Sequence, residues 1–238
     1  LRAKQINSGS TIFVNVNKNI IDGHIIAKME LDFKELDPET RYKILTSTVI
    51  PRPIALVTTR SRDGVDNAAP FSFFNVFGED PPLLVLGLQS KDIATPKDTT
   101  RNIRETNEFV VQLVDEKLAK AMNDCAVDFP ENISEFDLIN ISRAKCKRIN
   151  VSRIAEAPVA FECRRTLILQ LNETRDLAIG EIIYMHVRDG IINPKNMRLD
   201  LSEYKIIGRL FSNLYTNIEE TFTLDRINHK EWLEKIKS

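Results

Sequence analysis

The sequence predicts a mainly β protein with peripheral helices, for which a β-barrel is the natural architecture. Three observations lead there: strand-like runs predominate, the helical segments are short and inserted between them, and no βαβ alternation is present. The eight glycines add an exclusion, because no two lie within two positions of each other. Neither G-x-G-x-x-G nor G-x-x-x-x-G-K-[ST] can be written in this chain, which disfavours a Rossmann domain and a P-loop ATPase.

In chain order, residues 1–36 read as an appendage. T-I-F-V-N-V-N alternates as a strand, and Ile20 to Ile26 around Asp22-Gly23 suits a short hairpin. L-D-P-E-T-R-Y-K-I-L then opens a helix, with Asp37 as cap and Pro38 in its first turn. Strands are expected at about 53–60 and 65–74, joined by the Asp63-Gly64 turn, and at about 82–89. A helix near 97–106 precedes the strand F-V-V-Q-L-V. Asp115 to Val127 has helical spacing at Leu118, Ala121, Met122 and Cys125, and Ser134 to Asp137 reads as another helical turn. The basic stretch Ile141 to Arg153 reads as a solvated connector, with a guide for a phosphate-bearing partner as its second reading. P-V-A-F-E-C-R-R-T-L-I-L-Q-L and A-I-G-E-I-I-Y-M-H-V are two long strands expected to pair. R-D-G-I-I adds a turn and a short strand, G-R-L-F-S-N-L-Y follows, and Asp225 to Lys237 closes as a charged amphipathic helix.

Composition bounds the function. In 238 residues, 33 basic side chains face 34 acidic ones, a net charge of −1, so nucleic acid and anionic membrane are not expected partners. The hydrophobic content of 42% supports a full core. No apolar run approaches a membrane span, and the polar first residues lack the apolar stretch of a signal peptide, so the expected location is cytoplasmic. Cys125, Cys146 and Cys163 are an odd count without C-x-x-C, and His24, His186 and His229 are scattered. Neither a disulfide framework nor a metal site is expected, and no G-x-S-x-G elbow is present.

The helix start near residue 97 carries the chemistry. Thr95 suits a cap and Pro96 the first helical position, and Asp98, Thr99 and Thr100 precede the apolar Ile103. A first turn leaves N–H groups without partners at the positive end of the helix dipole. Ser90, Lys91, Thr95, Lys97 and Thr99 add donors and positive charge, a set suited to a phosphate monoester. Capping of a surface helix is the competing reading of the same residues.

P-R-P-I-A-L-V-T-T, N-A-A-P-F-S-F-F-N, P-K-D-T-T-R-N-I, A-P-V-A-F-E-C and G-E-I-I-Y-M-H-V occur in one order over roughly Arg41 to Asp225. In this the chain resembles the flavin reductase-like family, whose members bind FMN in a split β-barrel at the seam of a homodimer. The resemblance implies an appendage over 1–36, an FMN-binding split-barrel domain over 37–225 and a C-terminal helix over 226–238. It also implies that Asn67, Ala68, Ala69, Pro70, Ser72, Phe73, Phe74 and Asn75 line the flavin ring, with Ser72 and backbone N–H groups on its polar edge. Lys97 and Thr99, with Thr95 or Ser90, would hold the phosphate, while Asn102 braces the helix. Arg52 either approaches the flavin or is a surface arginine at a strand start. Phe71, Phe73 and Phe74 also suit alternating core positions. The family tends to have two glycines after R-L, whereas this chain has Arg209-Leu210-Phe211-Ser212 and then Tyr215. Phe211 and Ser212 would narrow the cleft near the ring or change what reaches it, and Tyr215 is a further cofactor candidate beside Arg209.

The implied activity is an FMN-dependent oxidoreductase that moves a hydride from NADH or NADPH, as a transient co-substrate, to FMN and on to flavin or another acceptor. Ring-to-ring hydride transfer asks little proton chemistry of side chains, so no catalytic residue is expected. Two alternatives use the same contacts: an FMN electron carrier of the flavoredoxin kind, reduced by a redox protein partner, and a non-enzymatic FMN-binding module. A homodimer is expected, since the V-L-G-L and F-V-V-Q-L-V strands are apolar on both faces.

Overall fold

The computed structural model describes residues 2–5, 11–21, 24–90 and 95–236, and divides into two compact units, 1–51 with 210–214 and 52–209 with 215–238. In the first unit, β1 (Arg2–Gln5), β2 (Thr11–Ile21) and β3 (His24–Glu30) form an antiparallel meander. The β2–β3 register closes at Ile21 opposite His24, bracketing the expected Asp22-Gly23 turn, which lies outside the described residues. The helix α1 (Pro38–Thr48) starts as its sequence suggests: Asp37 Oδ1 accepts the Thr40 N–H at 3.0 Å, and Pro38 opens the first turn.

The second unit is built on a seven-stranded antiparallel sheet. Its members are β4 (Ala55–Arg60), β5 (Asp66–Phe71), β6 (Phe74–Glu79), β7 (Pro82–Gln89), and, after α2 (Asp98–Thr106), β8 (Glu108–Leu113). The short helices α3 (Ala119–Asp124) and α4 (Glu135–Leu138) and the small hairpin β9 (Arg143–Lys145) with β10 (Ser152–Ile154) follow. The long hairpin β11 (Val159–Asn172) and β12 (Arg175–Val187) completes the sheet, in the order β5-β4-β8-β11-β12-β7-β6. Two minor hairpins, β13 (Ile192–Asn193) with β14 (Arg198–Leu199) and β15 (Ile207–Arg209) with β16 (Tyr215–Asn217), and α5 (His229–Lys235) end the chain. Among the described residues no helix is long and apolar enough to cross a membrane.

The two sheet edges, β5 and β6, are separated in sequence only by Ser72 and Phe73. Two residues bridge at most about 11 Å, so the edges must converge there and the sheet must roll up. The Gly87 N–H reaches the Phe73 carbonyl at 2.7 Å at this seam. The result is a barrel split along β5 and β6. Its strands β4 and β8 are buried on both faces: Leu56 enters one core with Val114, Met122 and Ile154, while Ala55 and Val57 enter another with Leu86, Phe109 and Ala178. That double burial is why A-L-V and F-V-V read as unbroken apolar runs.

Several boundaries differ from expectation. The single strand expected over 65–74 is β5 plus the start of a separate β6. The helix expected over 115–127 shrinks to α3, because Asp115 bridges Ile206 and holds Arg188 Nη2 at 2.7 Å. The basic connector 141–153 is not simply solvated. It contains β9 and β10, Arg143 pairs with Asp66 and Asp137, and the Lys147 and Arg148 N–H groups bond to Glu162. The last helix begins at His229 behind an Asn228–Glu231 capping box rather than at Asp225, and Lys237 lies outside the described residues.

Candidate functional site

Helix α2 is held with its start against β4 and β5. Asn67 Nδ2 donates to Thr99 Oγ1 at 3.1 Å, and Asn102 Nδ2 donates to Thr59 Oγ1 at 3.0 Å. Asn102 therefore braces the helix, as expected. The Asn67–Thr99 bond also sets where the helix begins. Lys97, with ψ 157°, occupies the N-cap and Asp98 is the first helical residue, two positions later than the Thr95-Pro96 pattern suggests. Lys97 is exposed and makes no side-chain capping bond, so the first-turn N–H groups keep their capacity for an anion. Asp98 is ion-paired with Arg101, which offsets the one acid in that turn.

Ser90 follows the end of β7. Its N–H donates to the Thr174 carbonyl at 3.0 Å, yet its Oγ is buried with no hydrogen-bond partner. A buried hydroxyl without a partner costs about 1–3 kcal/mol unless something completes it. Lys91 lies outside the described residues, and Thr95 is exposed in the lead-in to α2. Thr99, Lys97 and the α2 first turn offer a hydroxyl, a positive charge and free N–H groups at one helix start, donors suited to an anion.

The segment expected to line the ring runs along β5 to the seam. Asn67 and Ala68 are buried, Ala69, Pro70 and Ser72 are half-buried, and Phe73 is 44% exposed. Phe71 and Phe74 pack against the core, so the core reading holds for two of the three phenylalanines and Phe73 is the open one. Asn75 is exposed on β6, with its Oδ1 taken by the Val76 N–H.

Arg52 is only 6% exposed, which corrects the surface-arginine alternative. Its backbone exchanges two 2.9 Å hydrogen bonds with Arg209, and its Nε donates to Ser72 Oγ at 3.2 Å. Arg209 in turn stacks on the Tyr215 ring at 4.5 Å, and Tyr215 Oη donates to Asn123 Oδ1 at 3.3 Å. Arg52, Ser72, Arg209 and Tyr215 therefore form one connected set, and Asn67, Thr99 and Asn102 another. Phe211 is exposed and Ser212 has φ +52°, in the segment assigned to the other unit.

Two supporting residues escaped the sequence reading. Glu135 is 6% exposed, and its Oε2 accepts the Ala68 N–H at 2.8 Å, closing the outer edge of β5 where a strand partner would bond. Burial outweighs that hydrogen bond and raises the Glu135 carboxyl above the ordinary value. Asp66, 3% exposed, anchors the start of β5 through Arg60, Arg143 Nε and Ser152 Oγ. Burial works to raise its carboxyl, but the bonds from Arg60, Ser152 and Arg143 prevail and hold it below the usual range. Glu135 in S-E-F-D carried only a helical-turn signal, and Asp66 only its place before N-A-A-P.

Comparison with known proteins places the family and the fold. The model of the flavin reductase like domain family matches residues 46–203. The structure of 2-nitrobenzoate 2-nitroreductase from Pseudomonas fluorescens is 35% identical, covering 84% of this chain and 97% of that one with a TM-score of 0.77. Nitrilotriacetate monooxygenase component B from Bacillus cereus is 33% identical, covering 84% and 100% with a TM-score of 0.80. A Shewanella frigidimarina protein with a split barrel domain matches in fold at 18% identity, covering 84% and 100% with a TM-score of 0.73.

Proposed function

From the premise that this chain belongs to the flavin reductase-like domain family, we propose that it is an FMN-dependent oxidoreductase fed by NADH or NADPH. Its electrons pass to flavin or another acceptor. The cofactor assignment is carried by the uncapped start of α2, with the buried, unpartnered Ser90 Oγ as a further donor. A terminal phosphate would complete that hydroxyl, take the first-turn N–H groups and meet Lys97. Thr99, already fixed by Asn67, adds a hydroxyl to the same place.

FMN, when bound, supplies the two-electron carrier between nicotinamide and acceptor. The chain's own residues bind and orient. Asn67 to Asn75 would line the ring, Ser72 would present its hydroxyl with the other face of its oxygen held by Arg52, and Tyr215 would stand behind Arg209. No side chain is given a proton-transfer role. We take the flavin-binding domain as 37–225, with the appendage over 1–36 and the C-terminal segment over 226–238. A cytoplasmic setting fits three free cysteines.

A homodimer belongs to the same reading. Val76 and Phe77 on the β6 edge, and Leu167, Leu169 and Leu171 on the outer half of β11, are exposed apolar side chains that a second copy would cover. Light scattering should give twice the 27.2 kDa chain mass, and a monomer at micromolar concentration would contradict it.

Titration with FMN, FAD and riboflavin should show preference for FMN. Lys97→Ala should weaken FMN by about 1–3 kcal/mol and leave riboflavin almost unchanged. Equal affinity of the unaltered protein for FMN and riboflavin would remove the phosphate site. Anaerobic mixing with NADH and NADPH should then bleach the flavin band. If dithionite bleaches it and neither nucleotide does, the reductase reading fails.

A further inference from the structure

Cys146, Glu162 and His186 come from three separate segments and meet on one side of the large sheet. Cys146 sits in the loop between β9 and β10, Glu162 on β11 and His186 on β12. Their thiol sulfur, carboxylate oxygen and imidazole nitrogen all lie within 4.8 Å of one another. The Glu162 side chain is fully buried, and its carboxylate accepts the Lys147 N–H at 2.6 Å and the Arg148 N–H at 2.7 Å. His186 Nε2 lies 2.6 Å from Glu162 Oε1, and the imidazole keeps 16% of its surface open. The Tyr184 ring packs against it at 5.0 Å.

We propose that Cys146, Glu162 and His186 bind a divalent transition metal of the zinc class, with water as the fourth ligand. The donor set is one sulfur, one nitrogen and one carboxylate oxygen, which suits a four-coordinate borderline-soft ion and not a hard one such as calcium. Charge balances, since a thiolate and a carboxylate offset the two positive charges of the ion beside a neutral imidazole. Zinc bond lengths of about 2.0–2.3 Å put tetrahedral donor atoms roughly 3.2–3.7 Å apart, so closure on an ion takes side-chain shifts of about an ångström. The two backbone N–H groups on Glu162 are the outer support that holds a ligating carboxylate in place.

In forming the site, the Cys146 thiol gives its proton to solvent as the sulfur–metal bond forms. His186 Nε2 exchanges its hydrogen bond for the metal, leaving the ring proton on Nδ1. Burial, with the Glu162 charge behind it, pushes the free thiol up to about 12, and a bound cation reverses that preference. Glu162 is aligned with Val110, Thr58 and Ala68 across the sheet. Three strand spacings, about 14 Å, separate it from the ring-lining strand. The ion would therefore staple the β9–β10 hairpin to β11 and β12 and take no part in electron transfer. The assignment does not depend on the flavin reading.

The test uses the whole 238-residue chain stripped with a chelator and titrated with Co²⁺. One ion per chain should bind, giving a sulfur-to-cobalt charge-transfer band and intense visible bands of a four-coordinate centre, both displaced by Zn²⁺. Cys146→Ser should abolish the charge-transfer band and weaken Zn²⁺ at least tenfold, and His186→Gln should weaken it similarly. Should either variant fail to fold, alkylation of the unaltered protein decides, because Zn²⁺ should protect Cys146 from iodoacetamide as read by peptide mass. A wild-type spectrum without the sulfur band, the band surviving in Cys146→Ser, or no protection of Cys146 would each overturn the site.

Discussion

Gly180→Ala should be the most damaging single methyl group in the protein. A Cβ at Gly180 would overlap Cζ of Phe109 and lie 2.9 Å from its Cε1. Phe109 is fully buried in the core beneath β12, so the ring has no free volume to enter. Overpacking of this kind costs about 1–3 kcal/mol and at times more. At roughly 2–4 °C per kcal/mol for a chain of this size, the thermal midpoint should fall by several degrees. Phe109→Leu alone should also destabilise, through the space it leaves, but less than additively in the Gly180→Ala background. Denaturant midpoints of the two single variants and the double variant check this. Strict additivity would mean that the ring and the new methyl do not meet. Gly64 is the contrast: its surroundings are open, and its φ of +86° is what favours glycine there.

The second large effect is expected at Asp66. Its carboxylate receives Arg60 Nε at 2.9 Å, Arg143 Nε at 3.0 Å and Ser152 Oγ at 2.8 Å, joining β4, β9 and β10 to the start of β5. Asp66→Ala would leave two guanidinium groups facing each other. Removing one partner of a buried pair costs about 3–5 kcal/mol. Arg60 and Arg143 are 29% and 40% exposed, so water recovers part of this and about 2–3 kcal/mol is expected. The pH dependence has a definite sign. The folded carboxyl is held below its unfolded value of about 3.9. Its stabilisation is therefore complete above that value and is lost as pH falls through the lowered folded value. Asp66→Asn should be less stable than the unaltered protein at pH 7 and should show a shallower loss of stability below about pH 4. Equal acid limbs for the two proteins would contradict the assignment.

What the sequence made legible, and what it hid, follows from where each group finds its partner. β4 and β8 were visible because strands buried on both faces are written as continuous apolar runs, and β7, β11 and β12 as long runs rich in aliphatic residues. β6 was hidden because its outward side chains, Val76 and Phe77, are as apolar as its inward ones. Only two residues separate it from β5, so the run expected over 65–74 took in β5 and only the first residue of β6. The R-A-K of β9 looks like solvated connector because the buried carboxylate that answers Arg143, Asp66, lies 77 positions away in the chain. At the site, the capping pattern located the helix start to within two residues, and the tertiary bond between Asn67 and Thr99 set the remainder. The burial of Arg52 had no local sign, since it comes from a bridge to Arg209, 157 positions further along.

The strand order also dictates a timetable for synthesis. Central positions in the sheet go to β11 and β12, the last long strands in the chain, and β7 finds a neighbour on one side only when Arg175 to Val187 exists. At about 5–20 residues per second on a ribosome, the apolar Leu83 to Leu88 waits on the order of 5–20 seconds before its partner is even made. Over that interval β7 has only β6 to pair with, and the far edge of β8 stands open until Val159 to Arg164 emerges. The nascent chain thus holds two incomplete half-sheets that the β11–β12 hairpin must join in one late step, and this is the window in which a holding chaperone would find apolar strand surface to grip.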